Sequence, residues 1–119
     1  FVYLNKKQNS KEGIERYRKN VTNISKEILE INAITQKMIK CKHLEDFEAL
    51  LNRHERIISK LIGMQPVKSL LFKDFEGSIK SLGAWGGDFV LTTSNVNPLS
   101  YFKNKGFETV IPFDQMILK

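Results

Sequence analysis

Apolar residues spaced three and four apart dominate the first half of the chain. Short β-prone runs, punctuated by glycine and proline, dominate the second. Val21, Ile24, Ile28, Ile31, Thr35 and Met38 form one helical stripe, and Leu44, Phe47, Leu51, His54, Ile58 and Leu61 form another. Leu29, Ile34 and Ile39 flank the first, and Leu50, Ile57 and Ile62 the second, so each stripe is wider than a coiled-coil seam. The spacing predicts two core helices packed as an antiparallel pair across the turn at 40–43, with Ile28 and Ile58 in the core. Gly63 stands where a left-handed glycine should end the second helix.

The remaining elements follow from start and stop signals. Phe1-Val2-Tyr3-Leu4 reads as a strand, and Ser10 as the N-cap of a short helix over 11–19 with Glu12 in its first turn. Pro66 opens a helix with Val67, Leu70, Leu71 and Phe75 on one face, stopping at Gly77. Residues 79–82 and 89–93 read as strands, Asn97-Pro98 starts a helix that runs through Tyr101 and Phe102 to Gly106, and 109–111 is a final strand limited by Pro112. The order β, several α, β, β, α, β predicts an α+β fold. Its expected form is a ferredoxin-like, split βαβ, four-stranded antiparallel sheet, with additional helices inserted between strands 1 and 2. Neither a repeat nor a low-complexity linker divides residues 1–119, which read as a single domain.

Composition narrows the class. With 119 residues, 41% hydrophobic and 27% charged, the chain has an ordinary globular make-up, which excludes a disordered tail, a collagen-like repeat and a disulfide scaffold. Its apolar runs are too short to cross a bilayer, its first residues lack a signal-peptide layout, and the single Cys41 has no disulfide partner. A cytoplasmic protein with no membrane partner is the expectation. The charge of +6 is uneven: residues 1–62 carry 13 basic and 8 acidic side chains, residues 63–119 carry 6 and 5. Such a basic half serves nucleic acid, an anionic small molecule or the solvated faces of lysine-rich helices, and Lys alternating with Glu at helical spacing favours the last. The densest basic cluster is Lys6, Lys7, Lys11, Arg16, Arg18 and Lys19.

One segment is chemically unusual: Lys80-Ser81-Leu82-Gly83-Ala84-Trp85-Gly86-Gly87-Asp88. Three glycines in five residues allow positive φ, close backbone approach to a ligand and an anion-binding nest of N–H groups; a wide hairpin turn is the plainer reading. Gly-Lys-Ser/Thr does not follow, so it is not a Walker A loop, and a strand rather than a helix follows, so it is not a dinucleotide fingerprint. His54 lies on an apolar stripe, as a satisfied buried histidine or at a cleft edge. Asp88 either bonds the loop's own N–H groups or meets solvent. Cys41 and His43 lack the further ligands of a zinc site, and no metal ligand is expected.

The block Leu51-Asn52-Arg53-His54-Glu55, then Ile62-Gly63-Met64-Gln65-Pro66, then Lys80 to Asp88 resembles the C-terminal half of the GHMP kinase superfamily, the galacto-, homoserine, mevalonate and phosphomevalonate kinases. Those enzymes carry there a helix resembling L-x-N-x-H, a nearby Gly and Pro, and a loop resembling K-x-x-G-A-G-G-G-D, matched here at Lys80, Gly83, Ala84, Gly86, Gly87 and Asp88. Ser10 resembles the Ser/Thr that starts the first helix of that domain. YLNKKQNS and KSLGAWGGDF look most like the GYDIA branch, a mevalonate-kinase-like subgroup. Two features depart from the pattern: Trp85 replaces a glycine, and the P-x-x-x-G-L-G-S-S-like nucleotide loop is absent, with the N-terminal domain that carries it.

The resemblance implies one domain of an ATP- and Mg-dependent kinase that phosphorylates a mevalonate-like small molecule. Lys80, Gly83, Ala84, Gly86 and Gly87 would line the phosphate and substrate cleft, and Ser10, His54, Trp85 and Asp88 its edge. No residue of this chain would be catalytic, neither ATP nor Mg would be held by it alone, and the partner would be the N-terminal nucleotide-binding domain. The rival is a non-catalytic ferredoxin-like module for RNA or a regulatory small molecule. Ile79-Lys80-Ser81-Leu82 lacks the aromatic pair on which an RNA-binding sheet stacks bases, which makes nucleic acid the weaker partner.

Overall fold

The computed structural model describes all residues except 8, 9, 21, 22, 84, 86, 118 and 119, and only the backbone of 10, 13, 16 and 20. The chain is α+β. Strand β1 (Val2–Tyr3) is followed by helices α1 (Ser10–Asn20), α2 (Ser25–Lys40), α3 (Leu44–Ile62) and α4 (Val67–Leu71), strands β2 (Ile79–Ser81) and β3 (Phe89–Thr92), and helices α5 (Leu99–Asn104) and α6 (Phe113–Met116).

The sheet is antiparallel, three-stranded and ordered β1-β3-β2, with Val2 opposite Val90 and Ser81 opposite Val90 on the other side. The four-stranded ferredoxin-like sheet is therefore not formed. The expected fourth strand makes one isolated bridge, Val110 to Val2, although the Ile111 N–H donates to the Phe1 carbonyl at 2.7 Å and the Tyr3 N–H to the Thr109 carbonyl at 3.0 Å. The reason is length. β1 offers only two paired residues before Asn5 turns left-handed at φ 60°, and Pro112 ends the opposing run.

Period-2 alternation sorts the sheet into two faces. Val2, Leu4, Ile79 and Val90 share the buried face and meet Val67, Phe72, Phe75 and Phe102, which forms the main core. Phe72 stacks edge-on against Phe102 and Phe107, at centroid distances of 5.0 and 5.1 Å. This corrects the expected fourth helix, which stops at Leu71 rather than Gly77. Leu70 and Leu71 are exposed, and the core residues are Val67, Phe72 and Phe75, of which the two phenylalanines lie beyond the helix end.

The long helices form a second layer in which α2 packs on α3 and α3 runs beside β2. Their pairing is as expected, but the buried stripe of α2 is rotated. Ile34 is fully buried while Ile28 is 48% exposed and Thr35 is exposed, so Ile28 is not a core residue. In α3, Leu51, Glu55 and Ile62 are buried and Ile58 is half-buried. Val21 lies outside the described residues. Gly63 does end α3 left-handed at φ 67°. The N-cap of α5 is Pro98 rather than the expected Asn97, whose Oδ1 accepts the Leu99 N–H at 3.0 Å from one residue before the cap.

Candidate functional site

Helix α3 presents two carboxylates to the β2–β3 hairpin, Glu48 and Glu55, seven residues apart on the side that also carries Leu51. β2 is an edge strand, and an edge strand leaves backbone N–H groups without a ladder partner. Glu55 covers that edge. Its Oε1 accepts the Ser81 N–H at 3.0 Å and the Lys80 ammonium at 3.0 Å, and its Oε2 accepts the Ser81 hydroxyl at 3.1 Å. Lys80 also donates to the Ser81 carbonyl at 2.9 Å. The side chains of Lys80 and Glu55 are 15% and 4% exposed, so this is a buried ion pair. Removing one partner of such a pair typically costs about 3–5 kcal/mol, because the other charge is left without compensation.

Glu48 holds the other end of the same strand. The Thr93 hydroxyl donates to Glu48 Oε2 at 2.5 Å and accepts the Ser78 N–H at 3.0 Å, while the Ser78 hydroxyl donates to the Glu48 carbonyl at 3.3 Å. The Thr93 N–H returns to the Ser78 carbonyl at 3.0 Å. β2 is thus held to α3 at both ends.

The glycine-rich segment leaves β2 one residue beyond Ser81. Gly83 is exposed and left-handed at φ 60°, and a Cβ there would meet nothing within 4 Å. Trp85 is buried at 7% exposure, Gly87 is buried, and Asp88 is half-buried and left-handed at φ 55°. The Asp88 backbone is bonded on both sides: its N–H donates to the Lys6 carbonyl at 2.6 Å, and its carbonyl accepts the Leu4 N–H at 2.8 Å. These bonds draw the far end of the loop against the segment that follows β1, whose Lys6 and Lys7 are exposed.

The expected site residues therefore divide. Lys80 and His54 come together at the α3–β2 contact, where burial first and the Lys80 charge second hold the His54 pKa below its ordinary 6.5. The Nδ1 of His54 is buried without a hydrogen-bond partner. Gly83, Trp85, Gly87 and Asp88 lie on the connection that follows. Ser10 is the first residue of α1, and Ala84 and Gly86 lie outside the described residues. Among the described residues no three His, Cys, Asp or Glu side chains gather as a metal site, and no helix is long and apolar enough to cross a membrane.

Sequence reasoning missed Glu55, Glu48 and Ser81 as parts of this assembly. The available signal was the pattern Glu48, Leu51, Glu55: two acids sharing a helix side with a core leucine call for polar partners on the neighbouring element. A cleft of about 510 Å³ opens elsewhere, at the α2–α3 turn, and is lined by Lys37, Lys40, Lys42, His43, Asp46 and Leu50. No family model matches the chain, and neither a curated protein nor a solved structure does.

Proposed function

We propose that this chain is the C-terminal domain of a GHMP-type kinase that transfers the γ-phosphoryl group of ATP to a small, mevalonate-like metabolite in the cytoplasm. In this reading the domain lines the cleft, and a preceding domain holds the nucleotide. The observation that carries it is the segment from Gly83 to Asp88, anchored at one end through β2 to α3 and at the other through Asp88 to Leu4 and Lys6. A segment tied at both ends is held in place, which the lining of a preorganised cleft requires.

The chain's own groups suit part of that task. The left-handed Gly83, with open space where a side chain would project, lets an anion approach the backbone. Lys80 does not suit direct phosphate binding, since its ammonium is already committed to Glu55 and to the Ser81 carbonyl; it anchors the strand. Trp85, which replaces a glycine of the resembling pattern, packs its ring inward and so stiffens the segment. In this reading Mg²⁺ is held by the preceding domain and the nucleotide's phosphates. Bound MgATP supplies the phosphoryl group and charge neutralisation; this chain positions and excludes water.

The test is ADP formation by the product of the complete reading frame, supplied with MgATP and a panel of small hydroxy acids and phosphorylated alcohols. Acceptor-dependent turnover by that protein, with none from residues 1–119 alone, is the expected result. An isolated chain that phosphorylates a metabolite, or a complete protein that neither binds nor turns over ATP, overturns the proposal.

A further inference from the structure

Glu48 and Glu55 hold opposite ends of β2, but only one end continues into the glycine-rich segment. Ser78 and Thr93 lie where β2 begins; Ser81 lies two residues before Gly83. The three hydrogen bonds to the Glu55 carboxylate fix the Ser81 backbone, the Ser81 hydroxyl and the Lys80 ammonium together. Glu55 itself is 3% exposed, so its carboxylate is closed off from any ligand in solution. A carboxylate so completely engaged at the root of a loop acts on that loop's position.

We infer that Glu55 is a positioning residue for the glycine-rich segment: through Ser81 and Lys80 it sets how the chain leaves β2 towards Leu82, Gly83 and the buried Trp85. Glu48, whose carboxylate accepts from Thr93 at the opposite end of the hairpin, serves stability alone. The catalytic consequence rests on the kinase reading above; the conformational one does not.

Trp85 makes the conformational part directly measurable, because it is the chain's one tryptophan, it lies inside the segment, and it is 7% exposed. The experiment compares Glu55→Gln and the milder Ser81→Ala with Thr93→Val, which cuts the Glu48 arm, by tryptophan emission, acrylamide quenching and urea unfolding of residues 1–119. Releasing the segment shifts Trp85 emission to the red and raises its quenching by about twofold or more, the mark of a local opening below global unfolding. Ser81→Ala and, where it folds, Glu55→Gln should show this well below the unfolding transition, while Thr93→Val loses stability with Trp85 unmoved. Equal Trp85 responses in the Ser81 and Thr93 variants, or none in Ser81→Ala, refute the inference, and Ser81→Ala decides it should Glu55→Gln fail to fold.

In the complete enzyme, Ser81→Ala should lower kcat while leaving the melting temperature near that of Thr93→Val. An active enzyme whose kcat ignores Ser81→Ala refutes the catalytic consequence. A wild-type protein without turnover removes the kinase reading and leaves the Trp85 result to be judged on its own.

Discussion

Gly77 stands where β2 and β3 begin to diverge, and replacing it with alanine would strike backbone rather than a yielding side chain. A Cβ at this position would lie 1.7 Å from the Thr93 carbonyl oxygen, 2.8 Å from the Thr93 carbonyl carbon and 2.9 Å from Phe75 Cε2. Carbon and oxygen approach no closer than about 3.3 Å even in favourable C–H···O contacts, so the end of β3 would have to retreat by about 1.6 Å. The Ser78–Thr93 bonds, both 3.0 Å, would then pass out of reach. Two lost hydrogen bonds at about 0.5–1.5 kcal/mol each, added to an overpacking cost of about 1–3 kcal/mol, give about 2–6 kcal/mol. For a domain of this size that lowers Tm by more than about 8 °C. The assay is thermal and urea unfolding by circular dichroism, with Gly83→Ala as the comparison. Gly83 is left-handed but faces open space, so alanine there should cost only about 1–2 kcal/mol of backbone strain. A Gly77→Ala variant within 1 kcal/mol of wild type by that order-of-magnitude scale, or a Gly83→Ala variant less stable than it, would refute the reasoning.

Two further outcomes can be checked on the same material. Ile34→Ala should cost about 2–5 kcal/mol in urea unfolding, whereas Ile28→Ala should stay within about 0.5 kcal/mol; reversed values would return the core stripe of α2 to its expected rotation. His54 has a folded pKa below its ordinary 6.5, so at acid pH the unfolded chain takes up a proton that the native state resists. Its contribution is intact above pH 6.5 and is lost as pH falls through the depressed folded value, so unfolding free energy should decline over that range. His54→Gln should remove that part of the slope, and an unchanged slope would show that His54 does not carry it.

The order of elements from β1 to α5 was legible in the sequence because caps and breakers act locally, whereas helix α6 was not anticipated. Gly63 performs in the fold the role that its residue type announces, and α5 starts within one residue of the Asn97-Pro98 signal. Helix rotation was less legible. The stripe through Ile28 is the more apolar in sequence, since Glu27, Glu30 and Lys37 share the Ile34 side, yet the packing of α2 on α3 buries Ile34. The fourth strand failed for a related reason, since β-propensity at 109–111 cannot lengthen the short β1 beside it. At the site, the glycine-rich segment was visible by composition. The Glu55–Ser81 bonds were not, because they join residues 26 apart in the chain through the unpaired edge of a strand whose place in the sheet is a tertiary fact. Gly77 was read only as a stop signal, while its closest neighbour, Thr93, is set by sheet pairing.

The central claim is that the segment ending at Asp88 lines a phosphoryl-transfer cleft, and a single methyl group at the buried Gly87 tests it most directly. The measurement is the steady-state transfer of labelled γ-phosphoryl to acceptor by the complete enzyme and its Gly87→Ala variant, alongside their melting curves. The account predicts a kcat/KM lowered by well over tenfold, a loss above about 1.4 kcal/mol, in a protein that still melts as one cooperative unit within a few degrees of wild type. Full activity in Gly87→Ala, or a loss of activity explained wholly by unfolding, would contradict it and leave the segment a turn.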